Sequence, residues 1–427
     1  MSKAKIDRRR FGKLTGSAGL VAVSSTFPFL HIRAAATPKV IVIGGGAGGA
    51  TAARHIADGG GTSVTLIEAN TRYTSCFFSN LYIGGLRSLE SLTHSYDALR
   101  DRHGVQVVND TATGVDVDRK RVRTGNGASL AYDRLVLAPG IDFNFAAIDG
   151  YGPEAAEIMP HAYKAGPQTA LLKSQLVDMP DGGVFVIAPP ANPYRCPPGP
   201  YERVCMVAHY FTQHKPKSKI LILDAKDKFS KQGLFEQGWS RFYPDMIEWL
   251  PAEFTGGITA VDTAAMTVKA EDEAYKADVA NIIPPQHAGN IAVMAGVTDA
   301  SGWCPVHAET LESKLVPGIH VVGDSIIPGD MPKSAFAANS QAKVCANAVL
   351  SALTDSKKIP AQFQNTCWSL VAANHGVKIG ASYKATDEKI EKTSGFLSTP
   401  DEDDSTRAAN AEEANGWYAG ITRELFG

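Results

Sequence analysis

Along most of the first half of the chain, apolar residues come in short unbroken runs rather than in alternation. Lys39-Val40-Ile41-Val42-Ile43 is such a run, with Gly44-Gly45-Gly46-Ala47-Gly48-Gly49 after it and a small-residue stretch from Ala50 to Ala57. The run predicts a strand buried on both faces, the glycines a tight turn, and the small residues a helix packed closely on the strand. Ser63 to Glu68 reads as a second strand and Val105 to Val108 as a third. A hairpin-like stretch from Gly114 to Ala131 and the run Arg134 to Gly140 complete one nucleotide-binding unit.

The same rhythm starts again at Val184-Phe185-Val186-Ile187-Ala188, continues through Ile220 to Asp224, and ends near Asn281-Ile282-Ile283. Ile319 to Asp324 then returns to the first unit, with a helix expected from Ser334 to Leu353. The fold class predicted is α/β, with two Rossmann-like dinucleotide-binding domains and a small C-terminal domain. The expected boundaries are 37–150 together with 296–360 for a discontinuous first domain, 151–295 for the second, and 361–427 for the last. Between Asp401 and Glu413 there are six carboxylates and one Arg, followed by Trp417-Tyr418 and Leu425-Phe426, a pattern that suggests an interface tail or small domain.

The first 36 residues carry a different signal. Arg8-Arg9-Arg10-Phe11-Gly12-Lys13 precedes a mildly apolar run from Leu14 to Leu30 and then Ala34-Ala35-Ala36, the order of a twin-arginine export signal, with Gly12 where leucine is usual. The expected destination is the periplasm. Removing residues 1–36 takes away seven Lys/Arg and one Asp, leaving 35 basic against 43 acidic side chains, a net charge of −8 instead of −2. So acidic a chain is a poor nucleic-acid binder. Beyond the signal no run approaches the 18 or so apolar residues of a membrane span, so no transmembrane helix is expected. Histidines are scattered and C-x-x-C is absent, so no intrinsic metal site is expected.

Gly44, Gly46 and Gly49 form G-x-G-x-x-G between strand and helix, and Glu68 closes the next strand. Glycines there let a pyrophosphate approach the backbone at a helix N-terminus, and the carboxylate suits a ribose hydroxyl. Val322-Gly323-Asp324 resembles the second FAD motif of flavoproteins with two dinucleotide domains, in which the Asp meets the ribityl chain; this favours FAD over NAD. Leu135 to Gly140 resembles the central Ala-Thr-Gly segment of that group, with Pro139 in place of Thr. Where a second glycine loop for NAD(P)H would stand, the chain reads Ile187-Ala188-Pro189-Pro190-Ala191-Asn192-Pro193, and prolines remove the N–H donors a pyrophosphate needs.

That loop continues through Tyr194-Arg195-Cys196-Pro197-Pro198-Gly199-Pro200-Tyr201-Glu202. Together with Cys76 in Tyr73-Thr74-Ser75-Cys76-Phe77-Phe78-Ser79-Asn80, Trp303-Cys304-Pro305, Met331-Pro332-Lys333-Ser334 and Asn365-Thr366-Cys367, it resembles the flavoprotein subunit of flavocytochrome c sulfide dehydrogenase across essentially the whole mature chain. The resemblance implies FAD bonded covalently through Cys76, a redox disulfide between Cys196 and Cys367, and Glu202 handling a proton beside it. It also implies hydrosulfide as electron donor, attacking either the disulfide or the flavin C4a and oxidised to sulfur or polysulfide, and a c-type cytochrome partner that carries the haem, since this chain has no C-x-x-C-H. Lys333, at a helix start after Gly323-Asp324, is expected near the flavin, and Trp417 near the route to the haem. Cys205, Cys304 and Cys345 are expected to be free. The rival readings are a sulfide:quinone oxidoreductase, an NADH-dependent or thiol–disulfide reductase, and a flavoprotein scaffold for cytochrome assembly without sulfide activity.

Overall fold

The computed structural model describes residues 36–427, so the export segment up to residue 35 lies outside the described residues. Five parallel strands make the first sheet: Lys39–Ile43, Ser63–Glu68, Gln106–Asn109, Arg134–Leu137 and Ile319–Val321. Numbered along the chain, they lie in the order third, second, first, fourth, fifth, with Ile41 facing Thr65 on one side and Leu135 on the other. This is the Rossmann order, and its crevice opens where the order reverses, between the first and fourth strands. Val40, Val42, Leu66, Leu135, Val136 and Leu137 are fully enclosed, each stabilising the sheet by about 1.5–3 kcal/mol.

Four strands of the second sheet, Val184–Ala188, Lys219–Leu223, Ile247–Leu250 and Val279–Ile282, repeat the order third, second, first, fourth, again all parallel. The helix Ala47–Gly59 follows the glycine turn directly, whereas in the second unit the helix after the first strand, Gly199–His214, begins only beyond the proline-rich loop.

The C-terminal region is not a tail. Gln362–Ala372, His375–Ala385 and Ile390–Leu397 form an antiparallel sheet, its first two strands joined through Ala373-Asn374. The acidic stretch supplies the start of a 23-residue helix, Asp404–Phe426, capped by Asp403, whose carboxylate accepts from Thr406 N at 2.8 Å. Arg407, Asn410, Ala411, Ala414, Tyr418, Ile421 and Leu425 form its buried face at helical spacing. A Cβ at Gly376 would stand 2.6 Å from Ala411 N, so glycine is what allows the helix to lie against the hairpin backbone. Among the described residues no helix is long and apolar enough to cross a membrane.

Candidate active site

One cavity of about 760 Å³ runs from the glycine turn of the first sheet to the loop that carries Cys196. At the first end, Gly44 adopts φ +97 and a Cβ there would fall 2.4 Å from the Ala138 carbonyl oxygen; at Gly49 it would fall 1.7 Å from that of Gly44. Both glycines are required by the protein's own packing. Gly46 is different: its nearest protein neighbour would be the Tyr73 ring at 3.6 Å, so a side chain there would simply enter the cavity. A ligand close to the backbone explains that glycine. The helix starting at Ala47 has no side-chain N-cap, which leaves its first N–H groups for an anion.

Glu68 Oε2 accepts from Gly45 N at 2.7 Å and Oε1 from Asn70 N at 2.9 Å, so this carboxylate shapes the loop while lining the cavity. Asp324 also lines it. Its Oδ1 is buried with no hydrogen-bond partner, and its Oδ2 lies 3.5 Å from Arg195 Nη1. An orphaned buried carboxylate oxygen costs on the order of 1–3 kcal/mol, a cost that a ligand hydroxyl would relieve. Anion-ready N–H groups, a carboxylate at the second strand and an orphan acceptor at Gly323-Asp324 fit pyrophosphate, adenosine ribose and ribityl chain, and so fit FAD.

The other end is sulfur-rich. Cys76 Sγ accepts from Ala165 N at 3.3 Å and contacts the Tyr163 carbonyl oxygen at 3.7 Å. Cys196 is held at φ +55, a left-handed conformation uncommon for a residue with a Cβ, by its N–H donating to the Lys333 carbonyl at 2.8 Å and its carbonyl accepting from Gly199 N at 2.8 Å. Cys367 comes from the C-terminal sheet, where Asn365 Nδ2 donates to its Sγ at 3.3 Å. Glu202 sits in the first turn of Gly199–His214, its Oε1 accepting from Leu370 N at 2.9 Å and Oε2 from Asn80 Nδ2 at 2.8 Å. All four residues line the same cavity. No two of the six cysteines are bonded to each other in this structure. Cys205, Cys304 and Cys345 are fully buried away from the cavity.

Burial, followed by the nearby Cys367 and Glu202, pushes the Cys196 thiol well above its ordinary range. Burial likewise raises Glu202 above the usual carboxylate range, against the two hydrogen bonds and the cations Lys231 and Arg203, which pull it down. A carboxyl shifted towards neutrality is suited to exchanging protons near physiological pH.

Lys333 requires a correction. Its ammonium is not in the cavity wall: it donates to the carbonyls of Asp324 and Ile326 and lies 3.6 Å over the Trp303 ring. Burial lowers its pKa to about 8. The residue braces the Gly323-Asp324 turn from behind, while Ser334 and Ala335 are the ones that line the cavity. Residues that sequence reasoning passed over are Arg195, beside Asp324 and the Tyr163 carbonyl, and buried Arg203, bonded to Asn80, Asn281 and two carbonyls. Arg195 stood next to Cys196 in a loop already singled out; Arg203 had no signal beyond its place one residue after Glu202. Among the described residues no cluster of His, Cys, Asp and Glu could hold a metal ion.

At the corresponding edge of the second sheet, Asp224 is wholly buried. It is held by Tyr201 Oη, by Trp249 Nε1 at 3.0 Å and by Lys226 Nζ at 2.6 Å, and Lys226 also reaches the Pro190 carbonyl. The carboxylate that would take a second dinucleotide's ribose is bonded within the protein.

Comparison with known proteins agrees with this geometry. The pyridine nucleotide-disulphide oxidoreductase family model matches residues 38–176, which with the two sheets makes the chain a flavoprotein of that class. Two further models match, both of the flavocytochrome c sulfide dehydrogenase flavoprotein chain: its central-domain model over residues 169–284 and its flavin-binding model over residues 359–426. Among curated relatives, the mitochondrial sulfide:quinone oxidoreductase of Mus musculus is 25% identical over 329 residues, 73% of this chain and 72% of that one. Among solved structures, the sulfide:quinone oxidoreductase of Aquifex aeolicus superposes with a TM-score of 0.74 at 15% identity, covering 91% of each chain. The NAD-dependent persulfide reductase of A. fulgidus gives 0.60 at 15% identity, covering 88% of this chain and 77% of that one. At such identities the structural matches speak for the fold alone.

Proposed function

We propose that this chain oxidises hydrosulfide through the Cys196–Cys367 pair, with FAD bound covalently at Cys76, and delivers the electrons to a c-type cytochrome subunit in the periplasm. The observation that carries this reading is the convergence of Cys76, Cys196, Cys367 and Glu202 on one cavity whose far end fits FAD. With the pair oxidised, hydrosulfide would bond to one cysteine sulfur and give a persulfide, while the other sulfur departs as a thiolate with the electron pair of the broken S–S bond. Glu202, raised by burial, would take the persulfide proton. Bound FAD would supply the two-electron acceptor that returns the pair to its disulfide, while the outer sulfur of the persulfide leaves as zero-valent sulfur or polysulfide. Arg195 and Arg203, both in the cavity wall, would attract the anionic substrate.

A route outward supports the cytochrome acceptor. Trp417 and Phe336 line this cavity and also a groove of about 910 Å³ bounded by Lys343, Tyr383 and Glu424. Their rings stack 5.9 Å apart, and Trp368 lies 5.6 Å from Trp417. A second reading, with quinone as acceptor, is favoured by the mouse relative's name.

Anaerobic titration of the purified holoprotein with sulfide, NADH and a soluble quinone, followed by acid precipitation, tests the whole reading. Sulfide should bleach the flavin, NADH should not, and the yellow colour should stay with the precipitated polypeptide. Bleaching by NADH alone would sink it; flavin in the supernatant would remove the role of Cys76; reoxidation faster by quinone than by cytochrome c would move the acceptor to the membrane.

A further inference from the structure

The sulfur pair is backed by a buried cation that no motif announces. Lys231 precedes the Gln232–Phe242 helix at φ +64, a left-handed conformation that costs on the order of 1 kcal/mol without glycine, and it is 7% exposed. Its ammonium donates to Ser369 Oγ at 2.7 Å and to the Cys367 carbonyl at 3.2 Å. Both partners are neutral oxygens, and an ammonium enclosed with neutral partners alone is unfavourable. Burial, the largest influence, pulls its pKa below the ordinary lysine range. Four groups oppose that shift: Cys367 on the strand, Glu202 and Cys205 on the Gly199–His214 helix, and Cys196 on the proline-rich loop. Two of the four are the proposed redox pair and a third is its proton acceptor.

We propose that Lys231 is a positioning residue for the redox pair, its ammonium serving as countercharge to the sulfur that becomes negative when the Cys196–Cys367 bond opens. The idea rests on the sulfide reading above. One negative charge enters with hydrosulfide, the Cys196–Cys367 bond breaks as the new S–S bond forms, and one negative charge stays on the departing sulfur. At this buried site burial, Cys367 and Glu202 push the Cys196 thiol upward while two cations, Lys231 and then Arg195, pull it down, and of the two Lys231 has the larger influence. Lys231 is held by the strand that carries Cys367, so sulfur and cation keep their register.

The test uses flavin-loaded protein. In Lys231→Met, close to lysine in length, bleaching by sulfide at neutral pH should slow about tenfold, and the thiolate absorbance of the dithiothreitol-reduced pair should appear about one pH unit higher, as loss of one nearby charge implies. Lys231→Arg should restore most of both. A purely mechanical tether would lower the melting temperature of Lys231→Met and leave the pH profile where it was; a flavin-loaded variant with the wild-type profile therefore overturns the proposal. If Lys231→Met fails to hold flavin, Ser369→Ala, which loosens the ammonium without removing it, should move the profile the same way by less, and an unmoved profile there is equally fatal. Should wild-type protein resist bleaching by sulfide while the reduced pair still shows the Lys231-dependent shift, the sulfide reading fails and the role of Lys231 stands.

Discussion

The two parallel sheets share strand order through their first four strands, yet their carboxyl edges have become opposites. On the first, a glycine turn leads at once into a helix, Glu68 faces a cavity, and Asp324 keeps an unpartnered oxygen. On the second, prolines fill the turn, the helix waits until Gly199, and Asp224 is enclosed by Tyr201, Trp249 and Lys226. The residues that displace a nucleotide from the second edge are the same ones that bring Cys196 and Glu202 to the cavity of the first. On the proposed reading the repeated fold would hold one dinucleotide, with Cys196 on the loop where a second glycine turn would stand.

The sharpest way to break this contrast is to remove the sulfur. Cys196→Ser and Cys367→Ser should each cut sulfide-dependent bleaching by about 10³-fold or more while flavin stays bound, since loss of a covalent participant removes the step and not the fold. Stopped-flow absorbance of each variant decides it, and near-normal bleaching would return the pair to mere packing.

Next in size is the closed edge itself. Asp224→Ala leaves Lys226 enclosed without its partner and should destabilise the protein by about 3–5 kcal/mol in thermal or denaturant unfolding. Protein that remains folded should bleach with sulfide at the wild-type rate and still ignore NADH, because the prolines at 189, 190 and 193 remain. NADH reduction appearing in this variant would show that the edge was closed by Asp224 alone.

Glu202→Gln should slow sulfide bleaching by about 10²-fold, the lower range for a general base. The wild-type rate should rise with pH through the raised pKa of Glu202, on a limb above that of an ordinary glutamate, and the variant should lose the limb. Stability follows the opposite sign. A carboxyl whose folded pKa is raised supports the fold below its unfolded pKa and loses that support as pH rises through the folded value, so the variant should unfold no more readily than wild type at neutral pH.

How much of this was legible depends on the range of the interaction. The runs at 40–43, 135–137 and 184–188 are continuously apolar because both faces are covered, and the glycine turn is a local steric demand; both are visible in a single sequence. Cys76, Cys196 and Cys367 could be picked out by resemblance, but the hydrogen bonds that set the first two, from Ala165 and to the Lys333 carbonyl, link distant segments, whereas Asn365 reaches Cys367 from two residues away. The Asp404–Phe426 helix was hidden because its buried face includes Arg407 and Asn410 and its length includes Gly416 and Gly420, which weaken the apolar stripe. Lys333 was misplaced for a related reason: position beside a motif fixed its backbone, whereas the Asp324 and Ile326 carbonyls and the Trp303 ring decided where its ammonium went.

The smallest effect belongs to the open edge. In Asp324→Asn the position of the orphan oxygen holds an amide oxygen or an amide nitrogen, and only the charge beside Arg195, which on the FAD reading would also face a ribityl hydroxyl, is lost. One charge-assisted hydrogen bond exchanged for a neutral one is about 1.4 kcal/mol, or about tenfold in affinity. A covalent bond at Cys76 would mask that difference, so the comparison belongs in a Cys76→Ala background, with FAD release followed by fluorescence. Tenfold weaker binding on going from Asp324 to Asn in that background supports Asp324 as a ribityl contact. Equal affinity would mean that Asp324 serves Arg195 and not the cofactor, and the open edge would then differ from the closed one by its glycines and Glu68 alone.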